Sequence, residues 1–294
     1  MMIARYLVAA LALCLCACQS ARESVKAAAS TEPAPQTAIV KSSNDVREYR
    51  SIILDNKLEV VLVSDPLLKK SAAALSVAVG SFQEPKGFGG LAHYLEHMVF
   101  LGTTTYPDAA EHAKFISLNG GVENAYTALD HTNYMVAVDN AVFDQALDRF
   151  ASFFYEALLD ERFADKERNA VHSEWTFKGP NDGVILESLD GITLNTDHPV
   201  SQFNWGNLES LADRSDQSLH TALVDFYQRY YSANLMKAAL ISPMSLDEIE
   251  VLAKKTLGKI TNYGNHRQRG IFLLNLMATH FNEVDRYIDW QEML

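Results

Sequence analysis

Residues 93–97, with the sequence His-Tyr-Leu-Glu-His, constrain this chain more than any other stretch. They lie in a run of good helix formers that follows two glycines and contains no proline before Pro107, so the sequence predicts a helix here. In that helix His93 and His97 stand one turn apart, and both imidazoles project from the same face. Because two imidazoles so placed can bind one metal ion, the stretch predicts a metal-binding helix.

Glu96 is the third polar member of this stretch, three positions after His93 and directly before His97. Its carboxylate falls beside the predicted metal face, where it can take a proton from a water that a metal ion activates. The order H-x-x-E-H reverses the H-E-x-x-H pattern of zinc proteases and is the inverzincin motif. On the motif alone, a surface helix with two solvated histidines and a glutamate remains the alternative.

A two-histidine catalytic site needs a further protein ligand, and a carboxylate is a common choice for zinc. The segment 163–177 offers Glu167 and Glu174, which are seven residues apart and therefore share one helical face. An ordinary solvated helix face is the other interpretation of these glutamates. The residues alone leave open which of the two, if either, is a ligand.

The sequence around both segments matches a known pattern. The run HYLEH at 93–97, followed by MVFLG at 98–102 and by Tyr106-Pro107, resembles the metal-binding region of the pitrilysin and insulin-degrading enzyme family of inverted zinc metallopeptidases. In that family the third ligand is a glutamate within an N-A-V-x-S-E run, separated from the second histidine by 76 residues. The run at 169–174, NAVHSE, has this sequence and this spacing.

This resemblance implies a role for each acidic or histidine residue of the two segments. The implied ligands of one Zn²⁺ per chain are His93, His97 and Glu174. Glu96 is the implied catalytic base, and Glu167 is the implied second acidic residue of the catalytic site. The implied activity is hydrolysis of peptide bonds in peptides or small unfolded proteins.

A second region, GGVENAYT at 120–127 with HTNY at 131–134, resembles the strand pair beside the active site of that family. There the Asn-Ala step pairs with the backbone of a bound peptide, which implies substrate binding at Asn124 and Ala125. The resemblance runs from about residue 45 to about residue 260, but it covers only the first quarter or so of a pitrilysin-like enzyme. Two alternatives therefore stay open: an active peptidase domain, or a truncated, non-catalytic or partner-dependent zinc-binding subunit that binds peptides. A partner-dependent subunit would need a second half or a homodimer partner for activity.

The first eighteen residues are typical of an export signal, with one positive charge before an apolar run too short to span a bilayer. The run ends in Leu15-Cys-Ala-Cys18, which resembles a bacterial lipoprotein cleavage box and predicts Cys18 as the lipidated residue. A plain secretory signal is the alternative. The residues after Cys18 include no early aspartate, which by resemblance predicts a lipid anchor on the periplasmic side of the outer membrane of a Gram-negative bacterium.

The three cysteines all lie in this segment, so the rest of the chain has no cysteine ligand or disulfide.

Residues 19–44 form a small, polar, proline-punctuated run that predicts a flexible tether. The formal net charge of the chain is −12, which disfavours nucleic acid as a partner and is compatible with basic or unstructured peptides.

Strand-like and helix-like segments are interspersed over the predicted domain, residues 45–261. Hairpin turns are predicted at 55–57 and 130–131, and apolar spacing predicts a long amphipathic helix over 143–158. This pattern predicts an α+β fold in which a mostly antiparallel sheet is packed with helices. From about residue 262 to residue 294 the family pattern is lost, and we expect a divergent tail.

Overall fold

The computed structural model of the chain describes residues 40–193, 195 and 198–265. The chain divides into two compact units after Asp45. In the first unit the described residues are 40–45, where the Asp45 N–H donates to the Ser42 carbonyl at 3.0 Å. The predicted signal segment with Cys18, most of the predicted tether and the tail from residue 266 lie outside the described residues.

The second unit is built on one sheet of six strands among its described residues. The strands are β1 Glu48–Ile53, β2 Glu59–Ser64, β3 Lys70–Val77, β4 Val122–Thr127, β5 Thr132–Asp139 and β6 Met236–Ser242. Their order across the sheet is β1-β2-β6-β3-β5-β4. Each neighbouring pair is antiparallel except β2 and β6, which are parallel. The predicted α+β class with a mostly antiparallel sheet is therefore confirmed.

The helices come between and after the strands. They are α1 Leu91–Met98, α2 Glu111–Leu118, α3 Phe143–Ser152, α4 Ala164–Lys178, α5 Asp182–Thr193, α6 Leu219–Tyr230 and α7 Leu246–Thr256. The start of α7 has a reciprocal cap, in which Ser245 Oγ accepts from the Glu248 N–H and Glu248 accepts from the Ser245 N–H. In the described part of the chain, none of these helices has the length and apolar character needed to cross a membrane.

One face of the sheet carries the core. Side chains along β3 alternate between buried and partly exposed positions, as expected for a sheet that packs helices on one side. Leu75 and Tyr134 from the sheet, Leu95 from α1 and Phe150 from α3 are at most 1% exposed and belong to one apolar cluster. This cluster fixes α1 against the sheet through its apolar side and leaves its histidine side facing away from the core.

The helix predicted over 143–158 is shorter than the apolar spacing suggests, because α3 ends at Ser152. Beyond it the Phe153 and Phe154 N–H groups donate to carbonyls three residues back, which tightens the chain into a turn. The chain then extends, and the carbonyl of Glu156 accepts from the Thr104 N–H. Phe153 and Phe154 remain buried in the turn, so the apolar pattern reports burial there and not helix.

The start of α1 is held by a buried carboxylate. Glu84 accepts the Gly90 N–H through Oε2 and the Ala92 N–H through Oε1, both at 2.8 Å. These backbone groups at a helix start have no partner within the helix, so the carboxylate fills that role. Burial raises the pKa of Glu84 to about 8, although both N–H donors act to lower it.

Replacing Glu84 by alanine is expected to destabilise the fold. The substitution leaves two buried N–H groups unpaired, and an unpaired buried donor costs about 1–3 kcal/mol. The free energy of unfolding, measured by urea denaturation, should therefore fall by about 2 kcal/mol or more. Glu48→Ala, at an exposed carboxylate of β1, is the control and should change it by less than about 0.5 kcal/mol. An unchanged midpoint for Glu84→Ala would show that this carboxylate does not support α1.

Candidate metal centre

Three side chains from two helices converge at the candidate metal centre. His93 and His97 lie on α1 with ring centroids 5.0 Å apart, and Glu174 lies on α4, which packs against α1. Glu174 Oε1 is 3.4 Å from His97 Nε2, and its Oε2 is 3.8 Å from His93 Nε2. One donor atom from each residue lies within 4.8 Å of the other two. The structure thus brings together the three residues that the sequence resemblance implied.

The donor set and its spacing fit a zinc ion. Two imidazole nitrogens and one carboxylate oxygen are ligands that catalytic zinc uses, with bonds of about 2.0–2.2 Å. Such bonds at tetrahedral angles place neighbouring donors about 3.4 Å apart. The separations of 3.4 and 3.8 Å between Glu174 and the two histidines are close to this value. With these three protein ligands, a bound zinc ion would keep one position for a water molecule.

The other nitrogen of each histidine ring has its own partner. The carbonyl of Trp205 lies 2.9 Å from His93 Nδ1, and Glu167 Oε2 lies 3.3 Å from His97 Nδ1. With each Nδ1 engaged in this way, each Nε2 is left to face the metal position. Glu167 is only 8% exposed and sits behind His97 relative to Glu174. Glu167 is therefore placed where it can orient His97, and Glu174 is placed where it can join the two histidines around a metal ion.

Burial, hydrogen bonds and neighbouring charges shift the pKa values of His93, His97 and Glu174. Burial lowers the pKa of His93, an effect partly offset by the Trp205 carbonyl. Burial also acts to lower the pKa of His97, but the hydrogen bond that His97 donates to Glu167 and the charge of Glu174 outweigh it and raise that pKa. Burial acts to raise the pKa of Glu174, and the salt bridge with Lys178 at 2.9 Å, together with both histidines, lowers it. A carboxylate held ionised beside imidazole nitrogens is suited to bind a cation.

Glu96 lies beside this cluster and is 8% exposed. Thr127 on β4 donates its hydroxyl to Glu96 Oε2 at 2.6 Å, which fixes the direction of the carboxylate. Burial raises the pKa of Glu96, and the Thr127 hydrogen bond and the charge of His97 act in the opposite direction. A carboxylate with a raised pKa, fixed beside a metal position, has the properties of a general base.

The cluster opens into a cleft of about 950 Å³. One wall carries the metal-centre residues of α1 and α4, and the other is strand β4 with the residues that follow it. Because β4 is the terminal strand of the sheet, its outer edge has no strand partner among the described residues. Asn124 and Ala125, implied as substrate-binding residues, lie in the middle of this edge strand and line the cleft.

Several contributors to the site escape sequence analysis. The carbonyl of Trp205 leaves no side-chain signature, and Lys178 has the appearance of an ordinary solvated lysine one turn after Glu174. Thr127 is different, because the alternation of side chains along β4 could have placed it on the side that faces α1. In the part of the chain that the structure describes, no other histidine joins a potential metal cluster.

Comparison with known proteins agrees with this geometry. Residues 59–194 match the family model described as insulinase (peptidase family M16), and residues 219–278 match the one described as peptidase M16 inactive domain. The second match extends into the expected tail. Together the two matches cover more than half of the chain.

Individual relatives are similar over most of this chain but are much longer. Protease 3 of Escherichia coli K12 is 44% identical over 77% of this chain and 24% of its own length. Human insulin-degrading enzyme is 42% identical over 76% of this chain and 22% of its own length. The chain thus spans about a quarter of the length of these relatives.

Solved structures give the same picture. The crystal structure of pitrilysin superposes with a TM-score of 0.77 and 43% identity, over 79% of this chain and 25% of that one. A protease from Helicobacter pylori has a TM-score of 0.64 at 24% identity over 74% of this chain and 51% of that one, and at this identity it supports the fold alone. On the family matches and the relatives together, the chain belongs to peptidase family M16, the insulinase family.

Proposed function

We propose that this chain is a zinc metalloendopeptidase domain that hydrolyses peptide bonds in extended peptides or small unfolded proteins. The observation that carries the proposal is the convergence of His93, His97 and Glu174 beside Glu96, at the bottom of a cleft bordered by an edge strand. The M16 relatives named protease 3 and insulin-degrading enzyme support the same reaction class.

In this proposal His93, His97 and Glu174 hold one Zn²⁺ per chain. When bound, zinc supplies Lewis acidity and lowers the pKa of water in its open position. Glu96 takes the proton from the attacking water and passes it to the leaving amine, while Thr127 keeps its carboxylate directed at the cleft. Glu167 holds the His97 ring in the orientation that presents Nε2.

The substrate backbone in this proposal extends along β4 at Asn124 and Ala125. An unpaired edge strand offers a row of N–H and C=O groups that a peptide can join by β-augmentation. Main-chain pairing needs no particular substrate side chain, so unfolded segments bind and folded domains do not. The lining of the cleft by both residues supports this arrangement.

The match of residues 219–278 to the peptidase M16 inactive domain supports a further element of the proposal, a second half that takes part in peptide binding. Groups that enclose the peptide would come from that second half or from a second copy in a homodimer. Without them, positioning and transition-state stabilisation are weaker. The runner-up function is a non-catalytic or partner-dependent zinc-binding subunit that binds peptides.

The location of the domain is proposed from residues 1–18 alone. Lipidation at Cys18 would anchor the chain to the periplasmic side of the outer membrane of a Gram-negative bacterium, with residues 19–44 as the tether. A second acyl chain makes such an anchoring stable.

Glu96→Gln should abolish peptide hydrolysis and leave zinc binding intact. The amide keeps the hydrogen bond to Thr127 in reach but cannot accept the proton, so turnover should fall at least about a hundredfold. The measurements are cleavage of an unstructured fluorescent peptide and zinc content by atomic absorption. Glu209→Gln, at an exposed glutamate, should behave as wild type. A Glu96→Gln variant with the turnover of the wild type would show that Glu96 is not the base. A wild-type chain that binds peptide in a zinc-dependent way without turnover would favour the non-catalytic subunit.

Glu174→Ala should lose bound zinc, whereas Glu167→Gln should keep it with a weaker affinity. The first substitution removes a ligand, and the second removes only the group that orients His97, which typically costs about 10–100-fold in affinity. Competition with a chromogenic chelator measures both dissociation constants. The reverse pattern, with zinc lost in Glu167→Gln and kept in Glu174→Ala, would show that the two glutamates exchange roles.

Cys18→Ser should prevent lipidation in a Gram-negative host. The wild-type chain should incorporate labelled palmitate and fractionate with outer membranes, and the variant should do neither. Cys16→Ser, two residues away in the same segment, is the matched control and should be labelled like the wild type. A wild-type chain that takes up no label would leave the plain secretory signal as the explanation of residues 1–18.

A further inference from the structure

Glu123 on β4 is a carboxylate of the cleft that the proposed chemistry does not use. Its side chain is 22% exposed and lines the same cleft as the metal centre. Among the described residues its ion-pair partner is His112, whose Nε2 lies 2.7 Å from Glu123 Oε2 without the alignment of a hydrogen bond. No lysine or arginine in the described part forms a salt bridge with it. The carboxylate therefore reaches the cleft with no lysine or arginine of the described residues paired to it.

His112 holds this carboxylate in place from behind. It lies on α2, is 5% exposed, and packs edge-on against Phe153 with ring centroids 4.5 Å apart. Phe100 lies next to Phe153, with its ring centroid 6.3 Å from that of His112. The imidazole is thus buried against these two rings, and the buried oxygen Oε2 of Glu123 lies next to it. The accessible part of the Glu123 side chain is left to face the cleft.

The position of Glu123 along β4 fixes its distance from the reacting groups. Side chains at 123, 125 and 127 point to the same side of the strand, and Thr127 at the end of this row contacts Glu96. With a rise of about 3.3 Å per residue, Glu123 lies about 13 Å from Thr127. A peptide paired with β4 has the same repeat, so one of its side chains, about four residues from the one beside Thr127, reaches Glu123.

The surroundings of Glu123 fit a long basic side chain. Phe100 and Leu101 line the cleft with it, and they offer apolar surface to an aliphatic stem. A carboxylate at the end of an apolar wall pairs with ammonium or guanidinium.

We propose that Glu123 selects a lysine or arginine side chain of the bound peptide, at a fixed distance along the chain from the scissile bond. This inference rests on the proposed function, because it takes the peptide to lie along β4. The two can nevertheless fail separately, since binding and hydrolysis are measured independently.

The test uses unstructured peptides of alanine, serine and glycine. One has no charge, and in the others a single lysine is moved step by step along the chain. Binding is measured by fluorescence anisotropy with the zinc-loaded Glu96→Gln protein, and cleavage sites in the wild-type protein are mapped by mass spectrometry. Lysine peptides should bind at least about tenfold more tightly than the uncharged one, as a charge-assisted hydrogen bond allows. The cleavage site should move with the lysine.

Variants at position 123 decide the role of the carboxylate. Glu123→Gln, added to the Glu96→Gln protein, should bind lysine and uncharged peptides equally, and in the wild-type background it should lose the fixed spacing between lysine and cleavage site. Glu123→Lys should instead prefer a peptide carrying a single glutamate. Glu48→Gln removes the same charge from the opposite edge strand and should leave the lysine preference unchanged. These variants differ from the parent at one partly exposed side chain.

The outcomes separate the two proposals. Equal binding of lysine and uncharged peptides, or a lysine preference retained by Glu123→Gln, overturns the selection by Glu123 while any hydrolysis upholds the peptidase. A lysine preference that depends on Glu123, without hydrolysis by the wild-type chain, upholds the inference and overturns the peptidase. Absence of both binding and hydrolysis overturns both.

Discussion

The packing of α1 between the sheet and α4 is the constraint on which the site depends. The apolar side of α1 is buried in the sheet's core, and this burial sets the rotation of the helix about its axis. Because His93 and His97 are one turn apart, the same rotation presents both rings to α4. Glu174 on α4 then lies 3.4–3.8 Å from the Nε2 atoms of both rings. The buried cap by Glu84 at the start of α1 also opposes displacement of the helix along its axis.

A bound cation would offset the repulsion among the carboxylates of the site. Glu96, Glu167 and Glu174 lie within one small region, and the cation that contacts Glu174 is Lys178. Burial disfavours the ionised form of each carboxylate, so the folded chain retains this charge at some cost. A divalent ion between the histidines and Glu174 would offset part of that repulsion. The arrangement therefore links metal binding to the stability of the α1 and α4 contact.

Sequence analysis predicts the parts of this structure that depend on local patterns. The metal-binding helix, the strand pair carrying Asn124 and the fold class follow from residue spacing, turn residues and resemblance. The position of Glu174 at the candidate metal centre, with Glu167 behind His97, does not follow from helical periodicity, because residues seven apart share a face. It depends on how α4 lies across α1, which puts Glu167 at His97 Nδ1 and Glu174 at Nε2. The predicted end of the helix at residue 158 was wrong for a related reason. Phe153 and Phe154 are buried beyond the end of α3, so the apolar spacing continues into a turn.

Strand β4 links the proposed chemistry to the proposed substrate choice. One row of side chains on this strand supports the proposed base through Thr127 and presents Glu123 to the cleft. The strand alternates strictly, so a slip of one residue in its pairing with β5 would turn both side chains to the other face of the sheet. The register between β4 and β5 therefore sets the orientation of the proposed base and the position of the proposed charged subsite together. A peptide that adds to the free edge of β4 would inherit that register, which makes the distance between its basic side chain and its scissile bond a property of the sheet.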